Sequence, residues 1–174
     1  RSLIASAAAF FLYAWSMELV RRRSPAFNAR VMRLYGPVAH PHEWHRVNSA
    51  TWYCTALLLL ALTGSPLVCS VAVLVLGVGD PSAALVGRRW GRIRLLHGRS
   101  LEGSLTFVAV STLVAGSAVA LLYPTAGLLA AFGLGGAGAV AGAAAELLSR
   151  RVDDNLTIPL AAGFAVFALT LLGG

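Results

Sequence analysis

The sequence predicts an all-α fold: a polytopic integral membrane bundle of about six transmembrane helices, with its charged loops on one face. Three observations predict it. The 174 residues are 57% hydrophobic and only 12% charged, whereas about a quarter of the residues of a soluble domain are charged. The apolar residues gather into runs near the roughly 20 residues that a helix needs to cross the hydrocarbon. The charges fall between the runs, and almost all of them fall in every second gap. No solvated segment is left over, so residues 1–174 read as one integral membrane domain. The 18 glycines suit that class, because a helix without side chains on one face packs closely against its neighbours.

Taken in order, the predicted spans are about 2–20, 48–63, 66–86, 103–122, 124–147 and 156–173. The first ends at Arg21-Arg22-Arg23 without a small-residue cleavage site, which reads as a stop-transfer pattern and not as a cleaved leader. The second is short and the fifth long, which predicts tilt or a broken helix. Gly64-Ser65-Pro66 and Tyr123-Pro124 form tight, uncharged turns. The stretch from Gly133 to Ala145 is nearly all small residues; tight helix packing is favoured there over a ligand channel. Cys54 and Cys69 fall within spans and read as packing residues, with neither a disulfide nor a metal expected.

The other connections, 21–47, 87–102 and 148–155, hold 13 of the 14 arginines, and alternating spans place all three on one side. By the positive-inside bias that side is the cytoplasm. Residues 21–47 carry Phe27, Val31, Leu34, Tyr35 and Trp44 among arginines, a basic amphipathic pattern that suits the headgroup surface. The net charge of +7 comes from arginine alone. A GC-rich genome is reason enough for that bias, but every basic side chain is thereby a planar fork able to hold phosphate bidentately. No nucleic-acid partner is expected; the bilayer is, and a homodimer is allowed.

Five of the seven acidic residues lie in two cassettes on that same side. A carboxylate at the edge of apolar runs costs a few kcal/mol and reads as functional by default. The first cassette is Gly79-Asp80-Pro81, then Gly87-Arg88-Arg89-Trp90-Gly91-Arg92, then Arg99-Ser100-Leu101-Glu102-Gly103-Ser104. Pro81 frees a backbone carbonyl beside Asp80. Gly87 and Gly91 permit close backbone approach, and the helix start near Gly103 offers free N–H groups to phosphate. The second cassette is Glu146 followed by Asp153-Asp154-Asn155. Carboxylates, arginines and a helix start suit Mg²⁺ and phosphate, since Mg²⁺ takes one or two carboxylates alongside phosphate oxygens. The competing reading makes Asp80 and Glu102 structural partners of nearby arginines, and Asp154 or Asn155 an ordinary helix cap. There is no P-loop and no lysine to complete one. The histidines His40, His42, His45 and His97 lack zinc-ligand spacing, which favours a surface or substrate-gating role.

Together these segments resemble the CTP-dependent lipid kinases, the family of dolichol kinase, phytol kinase and the CTP-dependent diacylglycerol kinases. The family pattern G-D-x-x-A-x-x-x-G-R-x-x-G is matched from Gly79 to Gly91, and K-S-x-E-G-S from Arg99 to Ser104. An acid and D-N-L-x-x-P-L then follow as Glu146 and Asp154-Asn155-Leu156 with Pro159-Leu160. Upstream, His42, Glu43, Arg46, Ala50, Thr51 and Tyr53 fit H-E-x-x-R-x-x-x-A-T-x-Y. Two departures are Arg99 for the family's lysine and Ser49 for a glycine. The resemblance implies transfer of the CTP γ-phosphoryl group to a lipid alcohol such as a polyprenol, a phytol-like alcohol or diacylglycerol. It implies catalytic roles for Asp80, Glu102 and Asp154, and Mg²⁺ held by Asp80, Glu102 and Asp154 with Glu146 and Asp153 in support. Gly87, Arg88, Gly91, Arg92, Arg99, Ser100, Gly103 and Asn155 would contact the nucleotide. Phosphatidate cytidylyltransferase shares the first cassette but ends in a different signature, absent here. A transporter or scaffold is a more remote alternative, since the acids gather at one face and no internal repeat is seen.

Overall fold

A computed structural model describes residues 2–35, 46–149 and 152–173. The described chain is helical apart from turns and one isolated bridge between Arg94 and Ser100. Helix α1 (Ser2–Arg23) is followed, after Ser24, by α2 (Pro25–Tyr35). Then come α3 (Ser49–Ala61), α4 (Pro66–Leu74), α5 (Asp80–Trp90), α6 (Leu101–Leu122), α7 (Leu128–Leu148) and α8 (Asp154–Leu172). A π-turn, Val75–Gly79, joins α4 to α5, so Pro66–Trp90 runs as one rod.

Five helices are long and apolar enough to cross a membrane: Ser2–Arg23, Pro66–Trp90, Leu101–Leu122, Leu128–Leu148 and Asp154–Leu172. The chain is a multi-pass membrane protein. The second predicted span becomes the 13-residue α3, about 20 Å of helix against about 30 Å of hydrocarbon. Its ends are set locally. The Asn48 side chain accepts the Ala50 N–H at 2.8 Å, and Gly64, with φ +70°, turns the chain before Ser65 caps α4 and Pro66 opens it. α7 starts at Leu128, four residues later than the hydropathy suggests, because Pro124–Ala126 form a 3₁₀ turn ended by Gly127 at φ +76°.

At the polar end the helices begin earlier than hydropathy alone suggests. Ser100 caps α6 by accepting the Gly103 N–H at 3.1 Å, and Asp153 caps α8 by accepting the Asn155 N–H at 3.0 Å. Glu102 and Asp154 therefore sit in first helical turns, where a carboxylate is favoured by the helix dipole.

The small-residue stripe of α7 packs against its neighbours. A Cβ at Gly135 would lie 2.6 Å from the Gly116 backbone of α6, and one at Gly142 would meet Val75 at 2.9 Å and the Phe107 ring at 3.2 Å. Phe107, Val71, Val75, Ile158 and Val166 are fully buried around that contact and form the centre of the core. Cys69 belongs to the core and Cys54 is half-buried; neither is in a disulfide. Of the amphipathic segment 21–47, α2 buries Met32 and exposes Arg30, Arg33 and Leu34. His40, His42, Glu43, Trp44 and His45 of that segment, and Arg150 and Arg151, lie outside the described residues.

Candidate active site

Four chain segments meet at one end of the bundle. Asp80 opens α5, and Ala84 and Arg88 follow at four-residue steps, so all three share one face of the helix. What places Asp80 is the π-turn before it. Pro81 has no N–H to give the carbonyl four residues back, and the wider turn absorbs that loss, as such bulges do near functional sites. The turn is wedged from the side by α6. The Ser111 hydroxyl donates to the Val75 carbonyl at 3.4 Å, and Gly79 is seated against Ser111 and the Phe107 ring.

Arg99, the residue before the α6 cap, reaches across two helices. One arm pairs with Glu146 on the last turn of α7 at 2.9 Å, and the other with Asp154 on the first turn of α8 at 2.5 Å. Glu146 is only 2% exposed, and its second oxygen, Oε2, has no partner among the described residues. Asp153 accepts the Ser49 hydroxyl at 2.9 Å and the Asn155 amide at 3.0 Å, tying α3 to α8.

These residues line two adjoining clefts. The larger, about 460 Å³, is bounded by Asp80, Arg88, Arg99, Asp153, Asp154 and Asn155, and also by Arg46, Ser49 and Trp52. The smaller, about 320 Å³, is bounded by Gly87, Arg88, Arg99, Ser100, Gly103, Ser104 and Glu146. Ala84, Arg88 and Arg99 are common to both. Glu146 feels the charges of Asp80, Asp154 and Arg99, and Asp154 feels those of Asp80, Asp153 and Arg99. Arg99 is the only basic side chain paired to this carboxylate cluster among the described residues.

The two cassettes thus converge, but not every residue singled out in them faces the clefts. Glu102 turns away: its carboxylate accepts the N–H groups of Arg92 at 2.9 Å and Ile93 at 3.3 Å and so holds the 91–94 loop against α6. Neither Arg92 nor Gly91 is among the cleft-lining residues. Gly91, Gly87 and Gly103 are glycines because α5 and α6 touch there. A Cβ would come within 2.7 Å of Ser100 Oγ at Gly91, within 2.9 Å of it at Gly87, and within 2.9 Å of the Ala83 carbonyl at Gly103. Gly87 and Gly103 still line the smaller cleft. His97, in the left-handed region at φ 55°, has its ring Nδ1 3.1 Å from the Leu147 carbonyl and docks the loop on α7.

Sequence reasoning gave Arg46 no chemistry beyond its place in a motif, and passed over Trp52. Nothing local marks either one; they reach the cleft only because α3 packs beside α8.

Among the described residues, no three His, Cys, Asp or Glu side chains gather closely enough to cage a metal ion. A site that shares Mg²⁺ with phosphates needs no such cage, because one or two carboxylates suffice. The donor set fits that mode. Asp80 and Asp154 line the cleft, Glu146 keeps a buried oxygen without a partner among the described residues, and one guanidinium pairs with two carboxylates, Glu146 and Asp154.

No family model and no solved structure matches the chain. Among curated proteins it is 40% identical over 108 residues to phytol kinase of Synechocystis sp., covering 60% of this chain and 46% of the relative. It is 27% identical over 105 residues to CTP-dependent diacylglycerol kinase 1 of Saccharomyces cerevisiae, covering 59% and 36%. The protein of that name in Schizosaccharomyces pombe is 28% identical over 97 residues, covering 55% and 44%. The chain spans less than half the length of these curated relatives. Its homologues are lipid kinases of the family that its cassettes resemble.

Proposed function

We propose that the chain transfers the γ-phosphoryl group of CTP to the hydroxyl of a membrane lipid alcohol. The observation that carries this reading is the cleft itself. Arg99 pairs with Glu146 of α7 and Asp154 of α8, and Asp80 of α5, Arg88 and Arg46 line the same cleft, at the polar end of a membrane bundle. Phosphoryl transfer asks a protein for in-line positioning and charge neutralisation more than for covalent help, and this is a charge-neutralising site.

In this reading Arg88, Arg99 and Arg46 hold phosphate oxygens, and the guanidinium forks fix their orientation. Asp80 and Asp154 would hold Mg²⁺, with Glu146 behind them; when bound, the ion neutralises charge on the β- and γ-phosphates. Asp80 lies ten residues before the end of α5, about 15 Å along the helix, so it sits on the bilayer side of the arginines. An alcohol whose tail stays among the helices brings its oxygen to that level. That oxygen bonds to the γ-phosphorus, the bond to the β–γ bridging oxygen breaks, CDP leaves, and the hydroxyl proton passes to a cleft carboxylate. Glu102 contributes by holding the loop that carries Arg92, in place of a direct part in catalysis. By the positive-inside bias the cleft opens to the cytoplasm.

Purified protein incubated with labelled CTP or ATP and a panel of lipid alcohols tests the reading. Phosphate transfer from CTP to at least one alcohol is the expected outcome, falling at least ~100-fold in Asp80→Asn and Asp154→Asn. Formation of a CDP-lipid from phosphatidate would move the chain to the cytidylyltransferases. Full activity in both variants would show that the cleft is not the site.

A further inference from the structure

Away from the carboxylate cluster, the described chain holds one more buried acid. Glu18, near the end of α1, is 2% exposed, and Arg21 beside it is 6% exposed. A buried ion pair one turn apart on one helix needs more partners than itself, and these two have them. Arg21 donates to both Glu18 oxygens, to the Asn28 side chain on α2 at 2.8 Å, and to the Arg46 backbone carbonyl at 2.7 Å. Arg22 adds a bond to Glu18 at 2.6 Å, and the Asn48 N–H points at the same carboxylate at 3.4 Å.

The pair therefore grips residues 46–48 at two backbone points within three residues. This segment is also the wall of the larger cleft. Arg46, Ser49 and Trp52 line it, and Ser49 is bonded across to Asp153. The Arg46 side chain makes no ion pair among the described residues and faces the cleft that holds Asp80, Arg88 and Asp154. An arginine on a chain segment between helices is a poor phosphate ligand unless its backbone is held, because ordering it costs entropy at the moment of binding.

We propose that Glu18 and Arg21 are positioning residues that set Arg46 as a phosphate clamp on the nucleotide side of the cleft. The inference rests on the reading of the cleft as a CTP site, and adds that α1 belongs to the site although it contributes no lining residue. Removing the carboxylate would free Arg21 from its anchor, loosen the grip on the Arg46 carbonyl, and weaken triphosphate binding without touching the residues that meet the alcohol.

Calorimetric titration of the full chain in detergent with CTP and with inorganic triphosphate measures this directly. Glu18→Gln and Arg46→Ala should each weaken triphosphate binding about tenfold, and the double variant should bind no worse than Arg46→Ala alone, because both remove one interaction. In turnover, the KM for CTP should rise while kcat and the alcohol KM stay within about twofold. Arg21→Lys keeps a positive charge beside Glu18 but loses the planar fork that holds Glu18 and the Arg46 carbonyl together, and should reproduce the effect if Glu18→Gln aggregates. Unchanged triphosphate affinity in both positioning variants overturns the proposal, as do losses that simply add in the double variant. Wild-type protein that binds triphosphate and shows these effects but phosphorylates no alcohol leaves the positioning intact and sinks the kinase reading. Wild-type protein that binds no triphosphate sinks both.

Discussion

Arg99 stands where the resembled family carries lysine, and the structure gives a reason for the difference. Its two arms reach carboxylates on two different helices, Glu146 on α7 and Asp154 on α8, a bridge that a single ammonium cannot span in the same way. Glu146 is almost wholly buried, so removing its partner leaves a charge with no compensation. Arg99→Ala should therefore lower stability by about 3 kcal/mol, read as a fall in melting temperature in detergent. Adding Glu146→Gln should recover part of that loss, because the stranded charge is gone. A double variant no more stable than Arg99→Ala would mean that Arg99 acts through packing and not through charge. The same residues show what could be read in advance. The cassettes placed Asp80, Arg99, Glu146 and Asp154 on one face from spacing and topology alone. Glu102 was read into the cluster as well, because its motif neighbours belong there. Only the path of the 91–94 backbone, which donates two N–H groups to it, shows where its oxygens point.

At the scale of elements, the join of α4 to α5 sets the depth of Asp80. Gly79 is a glycine because the turn presses on α6: a Cβ there would strike Ser111 and meet the Phe107 ring at 2.9 Å. Gly79→Ala should push the π-turn off α6, cost about 1–3 kcal/mol in stability, and lower kcat more than the KM for CTP, because Asp80 moves while the arginines do not. Adding Ser111→Ala clears one of the two obstructions and should return part of the activity. If Gly79→Ala keeps wild-type kcat, the turn does not place Asp80. The π-turn itself was not legible in the sequence beyond the warning that Pro81 frees a carbonyl. Helix starts were misjudged for a related reason. Hydropathy ends a span at the first charges, but backbone N–H groups end it at a cap, and the Ser100 and Asp153 caps draw α6 and α8 outward to include Glu102 and Asp154. The Glu18–Arg21 pair was hidden in the same way, because three consecutive arginines after an apolar run read as a stop-transfer signal. That reading does not reveal that the first of them is buried.

For the whole molecule the open question is which way the bundle faces. The clefts are built from α5, the last turn of α7 and the starts of α3, α6 and α8, while the Pro124–Ala126 turn lies at the other end of α6. Twenty-two residues of α6 separate the two ends, about 33 Å by the helical rise, enough to cross the hydrocarbon. The two loops must then meet different compartments even though α3 is too short to cross unaided. The proposed function needs the cleft end in the cytoplasm, where a soluble nucleotide is available to it, and the arginines of the 87–102 connection favour that orientation by the positive-inside bias. The two cysteines can be removed to leave a silent background, since Cys54 and Cys69 are in no disulfide. In that background, a single cysteine at exposed Arg92 and, separately, one at exposed Thr125 should label from opposite sides with a membrane-impermeant maleimide. Arg92→Cys should react only after the membrane is opened, and Thr125→Cys in intact cells. Reaction of both from outside would contradict the bundle's polarity. Reaction of Arg92→Cys alone from outside would keep the fold but invert it, and a cleft turned away from the cytoplasm could not draw on CTP there.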